Sequence, residues 1–358
     1  VLLEDILDTS LPEDGPAWKQ ATLPVRYGGL GLRKAAPTAG AAYLASRSSC
    51  LDACQVLDPR YTMTGDDVLA KEAMDRVNEH MLQDAQLNIH TEMLKHSNWF
   101  TEVLDKASFK ELKEAAGEAG RARLESVGAE ETGQLSRAWL ECVPCKALDQ
   151  RFTNSEFRGR VSRRLGLEIC DEGQCPFCFM TMDRFGIHAE GCTGGGDKTY
   201  IHNEARDTIA TQAARAGTRP QLEAARLLEG QRVGNRRPAD VLLNNRVGVK
   251  TDRVRNFRKV ALDVGIICPQ VPSHVNTAAT GSAAAAGEYT THKREHQDTD
   301  RLCEEAGIDY QPLVFESLGA MSTDAHQTLR SLNRLVAENT GPPTGEVARR
   351  FWARLSFD

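Results

Sequence analysis

The stretch from Cys175 to Cys192 constrains what this chain can fold into more than any other part of the sequence. It reads C-x2-C-x9-H-x3-C, with candidate metal ligands at Cys175, Cys178, His188 and Cys192. A Cys-x-x-Cys turn directs two thiolates at one point, and a His and a Cys one helical turn apart can complete a tetrahedron. Three sulfurs and one nitrogen favour zinc, and a filled shell of four ligands is typical of a structural site. We therefore predict a structural Zn²⁺ knuckle.

The remaining cysteines leave two alternatives open. Cys170 lies close enough to the knuckle to replace one of the four ligands. A second C-x-x-C, Cys142 to Cys145, has no ligand pair following at finger spacing, so we interpret it as structural. The ten cysteines come with no signal peptide and no transmembrane run, which predicts reduced thiols and an intracellular protein. Because the chain starts at Val1 rather than Met, we expect it to be a piece of a longer protein.

The net charge of −6 conceals a strong asymmetry along the 358 residues. Residues 61–141 hold sixteen acidic residues against nine Lys and Arg, whereas residues 226–259 hold ten Lys and Arg against three acids. Basic surface near an acidic site is what an enzyme acting on a polyanion needs, although a solvated charged face is the simpler reading. A shorter basic run comprises Arg151, Arg158, Arg160, Arg163 and Arg164.

The pattern of apolar residues predicts a mixed α+β or α/β fold. Residues 61–165 repeat their apolar side chains at helical spacing, so the first half is predicted to be helical. After the knuckle, strand-like runs alternate with helical patterns, which predicts a small mixed sheet flanked by helices. The predicted strands are 239–243, 260–267 and 312–316, and the predicted helices are 203–216, 282–297, 323–339 and 346–355.

Two of the predicted strands each carry one carboxylate. Asp240 begins the first of them and Asp263 lies inside the second, with the small residues Ala261 and Gly265 on its own face. An acid within an apolar strand is costly unless it is paired or bound to a metal. Two acids on adjacent strands can hold Mg²⁺ or Mn²⁺, which can activate water against a phosphodiester. Glu223 is a candidate third acid, and salt bridges to nearby arginines are the alternative role for the pair.

The order of these motifs resembles a known family. The knuckle, then His202-Asn203, then Pro238 and Asp240, then Asp263 is similar to the restriction-like endonuclease of site-specific non-LTR retrotransposons, a branch of the PD-(D/E)XK superfamily. The segment from Leu23 to Arg33 and the Ala-rich stretch after it resemble the end of a retroelement reverse transcriptase. The likeness covers roughly residues 170–320, and more loosely residues 20–50.

The sequence departs from that family at several positions. The superfamily places a lysine two residues after the second acid, where this chain has Gly265. In the retroelement branch the lysine can come from the following helix, which makes Lys293 the candidate, with Tyr289 and His296 on the same helical face. Further departures are Ile201 in place of a Lys or Arg, Ala239 between Pro238 and Asp240, and a longer interval between the two acids.

The resemblance implies a division of the chain and a function. Catalysis would fall to Asp240, Asp263, Lys293 and Glu223, nicking double-stranded target DNA so that the freed 3′ end primes reverse transcription. Partners would be the target DNA, the retroelement RNA and an upstream reverse transcriptase domain, in the nucleus and away from membranes. The implied segments are the polymerase thumb tail (1–60), a helical linker (61–168), the CCHC knuckle (169–204) and the endonuclease (205–358). The implied nucleic-acid contacts are His202, Asn203, Arg236 and Arg237, the arginines gripping backbone phosphates.

Two other functions fit the same sequence. The chain could be a nucleic-acid-binding module, in which the knuckle and basic patches bind and the acids are decayed remnants. It could instead be an interaction protein whose partner surface is the acidic segment 61–141. Binding alone needs no Mg²⁺, and the interaction protein would show no salt-dependent affinity for DNA.

Overall fold

A computed structural model describes residues 2–62, 67–81, 83, 86–92, 95–228, 237–245, 249 and 259–357. The chain is a mixed α+β protein, which confirms the predicted class. It divides into two compact units, residues 9–116 and residues 1–8 together with 117–358. The boundary lies inside the predicted linker 61–168, so the second half of that segment belongs with the knuckle and the sheet. The four-segment division itself stays a prediction.

The unit of residues 9–116 is helical in its described residues, and its core forms where two helices approach closely. A Cβ on Gly40 would lie 2.3 Å from the carbonyl oxygen of Ala73, so only glycine allows this contact. Around it pack Leu44, Met74 and Phe100, all nearly inaccessible to solvent. The helix α1 (Leu2–Leu7) belongs to the other unit, and the helices here are α2 (Pro16–Thr22), α3 (Ala35–Leu57), α4 (Val68–Asn78), α5 (Ile89–Glu92) and α6 (Ser97–Ala115).

The glycine-rich loop from 28 to 31 is packed against α2. The side-chain amide of Gln20 donates to the carbonyl of Gly28 at 2.9 Å. A Cβ on Gly29 would lie 2.0 Å from the carbonyl oxygen of Leu23, a distance that no side chain can adopt. Beyond the loop, Arg33 forms a two-pronged ion pair with the buried carboxylate of Asp105 on α6. The loop therefore ties α2 and α6 together.

The second unit is built around a four-stranded mixed sheet with the order β3-β4-β5-β6. The pairs β3–β4 and β4–β5 are antiparallel, and β5–β6 is parallel. A separate two-stranded hairpin lies in the knuckle. The strands are β1 (Gly173–Gln174), β2 (Thr181–Met182), β3 (Pro220–Leu222), β4 (Val241–Leu243), β5 (Lys259–Ile267) and β6 (Ile308–Glu316).

Successive side chains along each strand point to opposite faces of the sheet, and helices pack against both faces. On one face Val260, Leu262 and Val264 join the largest core cluster, which includes residues of α11, α15 and α16. On the other face Ala261 packs with Tyr310 and Leu302. The helices of this unit after α1 are α7 (Glu118–Val127), α8 (Gln134–Glu141), α9 (Asn154–Leu165), α10 (Ile187–Gly191), α11 (Asp197–Arg215), α12 (Val275–Ala278), α13 (Ala284–Glu295), α14 (Thr299–Glu305), α15 (Thr323–Thr340) and α16 (Thr344–Phe357).

The predicted strands at 239–243, 260–267 and 312–316 correspond to β4, β5 and β6, but β4 begins only at Val241, so Asp240 directly precedes the strand in which it was predicted. The short strand β3 was not predicted, because three residues between turns carry no readable alternation. Strand β6 begins at Ile308, four residues before the predicted start at Pro312. Proline does not interrupt β6, because β6 is the last strand of the sheet among the described residues and, away from β5, its one bridge joins Phe315 to Met321, so an N–H missing at Pro312 is tolerated.

Among the described residues, no helix is both long enough and apolar enough to cross a bilayer.

Replacing Gly29 by Ala is expected to destabilise the helical unit by more than about 2 kcal/mol, because the added Cβ forces the loop away from Leu23. Chemical denaturation followed by circular dichroism measures the change. The control is Gly345→Ala in α16, where a Cβ meets nothing within 4 Å and stability should hold or rise. Equal midpoints for Gly29→Ala and the parent chain would contradict the packing described for the loop.

Candidate functional site

The four predicted ligands of the knuckle come together in the structure. One ligand atom from each of Cys175, Cys178, His188 and Cys192 lies within 4.8 Å of all the others. The Sγ of Cys192 lies 3.8 Å from that of Cys175 and 3.7 Å from that of Cys178, and Nε2 of His188 lies 3.2 Å from the latter. Zn–S bonds of about 2.3 Å in a tetrahedron separate two sulfurs by about 3.8 Å. The cluster can hold a metal ion, and its spacing suits zinc.

Local hydrogen bonds preorganise the cluster. The carboxylate of Asp183 accepts the backbone N–H groups of Phe185, Ile187 and His188, the last at 2.7 Å, and so fixes the start of the helix α10 that carries the histidine. Burial alone would raise the pKa of Asp183, but these backbone donors hold it below its ordinary value. The carboxylate is therefore charged, as a helix N-terminus favours.

The Cys-x-x-Cys turn favours a thiolate. Backbone N–H groups of Cys178 and Phe177 point at the sulfur of Cys175 and lower its pKa to about 6. The thiolate is the form that binds metal, so the turn prepares a ligand before any ion arrives.

The other cysteines take no part in this cluster. Cys170, the alternative ligand considered from the sequence, is exposed, and its thiol lies 3.4 Å from the carbonyl oxygen of Asp183. Cys142 contacts the carbonyl of Trp139 on its own helix. Within the described residues, the four-ligand set is the one group of three or more Cys, His or acidic side chains with metal-binding spacing.

Strand pairing places three of the predicted acids in one row. Val241 pairs with Leu262, so the residue before it, Asp240, stands opposite Asp263. Leu222 pairs with Val241, which puts Glu223 beside Asp240 on the other side, and the Glu223 N–H donates to the Asp240 carbonyl at 3.0 Å. The three carboxylate-bearing residues therefore lie side by side across β3, β4 and β5.

Asp240 is held at the junction of β5 and the helix that follows the knuckle. Its Oδ2 accepts the backbone N–H of Val264 at 2.7 Å and lies 3.2 Å from Nε2 of His202 on α11. Burial would raise the pKa of Asp240, but the hydrogen bond from His202, the Val264 N–H and the charge of Lys293 outweigh it and lower the pKa. The hydrogen bond to Asp240 raises the pKa of His202 in turn. Oδ1 of Asp240 is not engaged in these contacts.

Lys293 reaches Asp263 from α13. Its Nζ donates to Oδ1 of Asp263 at 2.7 Å and approaches the carbonyl oxygen of Val264 at 3.4 Å. The route passes over Gly265, where a Cβ would lie 2.8 Å from Cε of the lysine. Gly265, a small residue on the same face as Asp263, therefore leaves room for this side chain.

Tyr310 is a site residue that the sequence analysis missed. Its hydroxyl donates to Oδ2 of Asp263, and its ring is almost completely buried on β6. The parallel register sets Tyr310 opposite Ala261, two residues from the acid on the same face. Burial raises the pKa of Asp263 although Lys293 and Tyr310 oppose that effect. Tyr310 stands between Asp309 and Gln311, so no apolar pattern marks it in the sequence, and its contact with Asp263 follows only from the strand register.

Glu223, the candidate third acid, is directed elsewhere. Its carboxylate accepts a hydrogen bond from Arg206 on α11 at 2.8 Å, and the same guanidinium binds Asp207. Its backbone has a φ of +47°, a left-handed conformation at the end of β3. The backbone of Glu223 thus belongs to the row of acids, whereas its charge is paired with an arginine.

The predicted nucleic-acid contacts have separate locations. His202 bridges the site, with Asp240 on one ring nitrogen and the side-chain oxygen of Asn203 3.4 Å from the other. Arg237 is exposed, three residues before Asp240. Arg236 lies outside the described residues, as does most of the basic segment 226–259.

The second basic run does not form the predicted basic surface. Arg163 and Arg164 are buried at 7% and 3% exposure, and Arg160 donates to the backbone carbonyls of Ser356 and Phe357 at the end of α16. Arg160, Arg163 and Arg164 are spaced three and four residues apart, so they share one face of α9, and that face packs against the protein. A count of charges along the sequence cannot detect this. Arg151 and Arg158 remain exposed.

A comparison with models of known protein families found no match to this chain, and a comparison with curated proteins found none either.

Replacing Cys175 by Ser is expected to abolish stoichiometric metal binding and to lower thermal stability, because a three-ligand shell loses most of the affinity that couples binding to folding. Metal content by mass spectrometry and the melting temperature with and without a zinc chelator provide the measurements. Cys170→Ser is the matched control and should keep one bound metal. Loss of metal in that control, with retention in Cys175→Ser, would assign the fourth ligand to Cys170.

Proposed function

We propose that this chain is the metal-dependent DNA endonuclease part of a retroelement protein, with a structural zinc knuckle and a restriction-like nuclease of the PD-(D/E)XK type. The observation that carries the proposal is the meeting of Asp240, Asp263 and Lys293 around the backbone of Val264. The Val264 N–H binds the first acid, its carbonyl faces the lysine, and the lysine binds the second acid. Two carboxylates and one ammonium placed together between β4 and β5 are suited to phosphodiester hydrolysis.

Each residue has a role that follows from its contacts. Mg²⁺ or Mn²⁺ held by the two carboxylates would supply Lewis-acid activation of water and of the scissile phosphate. Oδ1 of Asp240 faces no described donor and is the oxygen placed to coordinate an ion. Lys293 holds a positive charge within hydrogen-bonding distance of Asp263, where it can orient water or stabilise charge on a phosphate oxygen. Tyr310 fixes the orientation of the Asp263 carboxylate.

The knuckle supports the proposal through α11. This helix starts five residues after the last ligand, Cys192, and delivers His202 to Asp240. A metal bound in the knuckle would therefore fix the N-terminal end of a helix that touches the candidate catalytic carboxylate. In this proposal zinc is structural, and His202 is a positioning residue that holds Asp240 and lies beside the path of the DNA.

In the same proposal the substrate is double-stranded target DNA, nicked on one strand so that its 3′ end primes reverse transcription of the retroelement RNA. The polymerase would lie upstream of this chain, and the reaction would take place in the nucleus. The exposed Arg237 would contact the DNA backbone close to Asp240, a contact that positions the substrate without reading its sequence.

One observation favours a second candidate, a nucleic-acid-binding module without catalysis. The Lys293–Asp263 ion pair and the His202–Asp240 contact neutralise both acids with protein groups alone. Buried carboxylates paired in this way are stable without an ion. Divalent-metal dependence distinguishes the candidates, because a binding module needs no Mg²⁺ at these acids.

The purified, zinc-loaded chain is expected to nick supercoiled plasmid when Mg²⁺ or Mn²⁺ is added and not when both are omitted. Asp240→Asn and Asp263→Asn keep side-chain volume but remove the charge, so each should lower the nicking rate by about 100-fold or more. The conversion of supercoiled to open-circular DNA on a gel measures the rate. The exposed acid Asp171, changed to Asn, is the control and should retain activity.

Unchanged nicking by both Asn variants would remove the carboxylates from the mechanism. An inactive chain that still binds DNA with a steep salt dependence would support the binding module instead.

Gly265→Ala tests the path of the lysine. The new Cβ would overlap Cε of Lys293, so the ammonium should withdraw from Asp263 and nicking should fall about tenfold or more. Gly287→Ala, on the same helix as the lysine but with open space at its Cβ, is the control and should keep full activity. Circular dichroism confirms folding, and full activity of folded Gly265→Ala would show that the lysine is not needed at this position.

A further inference from the structure

A cavity of about 720 Å³ lies beside the carboxylate site, within the unit of residues 117–358. Its wall combines residues of α8, α9, α11, α16, the C-terminal ends of β5 and β6, and the knuckle. The volume falls in the range of about 300–1,000 Å³ that is usual for small-molecule sites. Nothing in the proposed cleavage reaction uses this space.

The wall is mainly apolar and includes two buried aromatic rings. Trp139 and Phe315 are 9% and 5% exposed, and Leu355, Ile266 and Ala205 complete the apolar surface. The indole N–H of Trp139 already donates to the carbonyl of Ser136, so the ring offers the cavity an apolar surface. Such a wall suits a flat apolar group.

The buried guanidinium of Arg163 gives this cavity a specific polar requirement. The side chain is 9% exposed, and its Nε donates to Glu190 at 2.7 Å. The side chain lines the cavity, and its buried Nη2 has no hydrogen-bond partner among the described residues. A buried charged donor without an acceptor is costly, and an anionic oxygen is the acceptor that compensates it best.

The charges around the cavity also favour an anion. Glu190, the acid on Arg163, also accepts from Ser317 at 2.5 Å. Burial raises the pKa of Glu316, the second acid of the wall, and its carboxylate accepts the backbone N–H of Ala286 at 3.2 Å. The third, Glu156, is tied to the N-cap of α9. The wall also contains four basic side chains, Arg160, Arg163, Arg164 and Lys198.

The cavity shares a wall residue with the candidate active site. His202 lines it and also contacts Asp240 through Nε2. A nucleic-acid strand whose phosphate lies at the carboxylates would therefore have a nucleotide within reach of this space. Of the anions with a flat apolar body, the nucleoside phosphate is the one that this neighbourhood would present.

We propose that the cavity binds one unstacked nucleotide unit, with its base against Trp139 and Phe315 and its phosphate on Nη2 of Arg163. The identity of the ligand rests on the proposed function, but binding does not depend on cleavage. Unpairing a base costs free energy, and stacking against aromatic side chains returns part of it. An unpaired nucleotide would consequently be bound more tightly than one in a perfect duplex.

Gly159 offers a way to fill the cavity without disturbing its wall. This glycine lines the cavity from the middle of α9, and a Cβ placed there meets nothing within 4 Å. Gly159→Met should project a side chain into the space and also strengthen the helix, since glycine is unfavourable in a helix interior. Gly345→Met in α16, likewise open at its Cβ but away from the cavity, is the matched control. Arg163→Lys is a second variant, which keeps a positive charge beside Glu190 but removes the guanidinium group and its Nη2 donor.

The test measures affinity by fluorescence anisotropy, using zinc-loaded chain without added Mg²⁺ or Mn²⁺. The probes are three duplexes of one sequence: fully paired, with a single-nucleotide bulge, and with an abasic bulge. The parent chain and Gly345→Met should prefer the nucleotide bulge over the abasic bulge by about tenfold or more. Gly159→Met and Arg163→Lys should lose most of that preference. Melting temperatures establish that each variant is folded.

A titration with 2′-deoxyadenosine 5′-monophosphate separates the two sources of a nucleotide. Saturable binding that Gly159→Met lacks, without any preference for the bulge, would identify a free nucleotide as the occupant. Preference for the bulge identifies a nucleotide of the strand. Neither response, or equal responses in the parent chain and Gly159→Met, would overturn the proposal. Nucleotide binding by a chain that cannot nick would leave this inference standing and reject the cleavage activity alone.

Discussion

The register between β4 and β5 is the constraint on which the candidate active site depends. It sets Asp240 opposite Asp263 and brings the Val264 N–H to the Asp240 carboxylate. A slip of one residue would turn every side chain of one strand to the opposite face and separate the two acids. The apolar face of Val260, Leu262 and Val264 against the helices prevents that slip, because it would expose a buried row. Core packing therefore maintains the geometry of the carboxylates.

The two clusters of the second unit are joined by one helix. Helix α11 begins five residues after Cys192, the last ligand of the knuckle, and places His202 against Asp240. This helix therefore connects the knuckle to the carboxylate site. A small segment such as the knuckle buries little apolar surface of its own, and a bound metal is the usual substitute for a core. The position of α11 would then depend on whether the knuckle holds its metal. The metal would in this way affect the contact between His202 and Asp240.

Charge along the chain has a different meaning once the side chains are placed. The arginines of α9 look like a surface patch in the sequence, yet Arg163 and Arg164 are buried and Arg160 binds the last carbonyls of α16. Burying several guanidinium groups is favourable only when acceptors surround them. That condition is not fully met beside the cavity, where Nη2 of Arg163 has no acceptor among the described residues.

The Cys/His cluster and the two acids were predictable from the sequence alone. Ligand spacing in the knuckle is local, and acids in apolar strands are visible because burial makes them costly. The sequence also pointed to Lys293, though only through a resemblance, since twenty-eight positions along the chain separate this lysine from Gly265. Four features became visible only in the fold: Lys293 crosses Gly265, Tyr310 binds Asp263, Glu223 pairs with Arg206, and Arg163 and Arg164 of α9 are buried. These contacts join residues far apart in sequence, so they depend on strand register and helix packing, which no local pattern specifies.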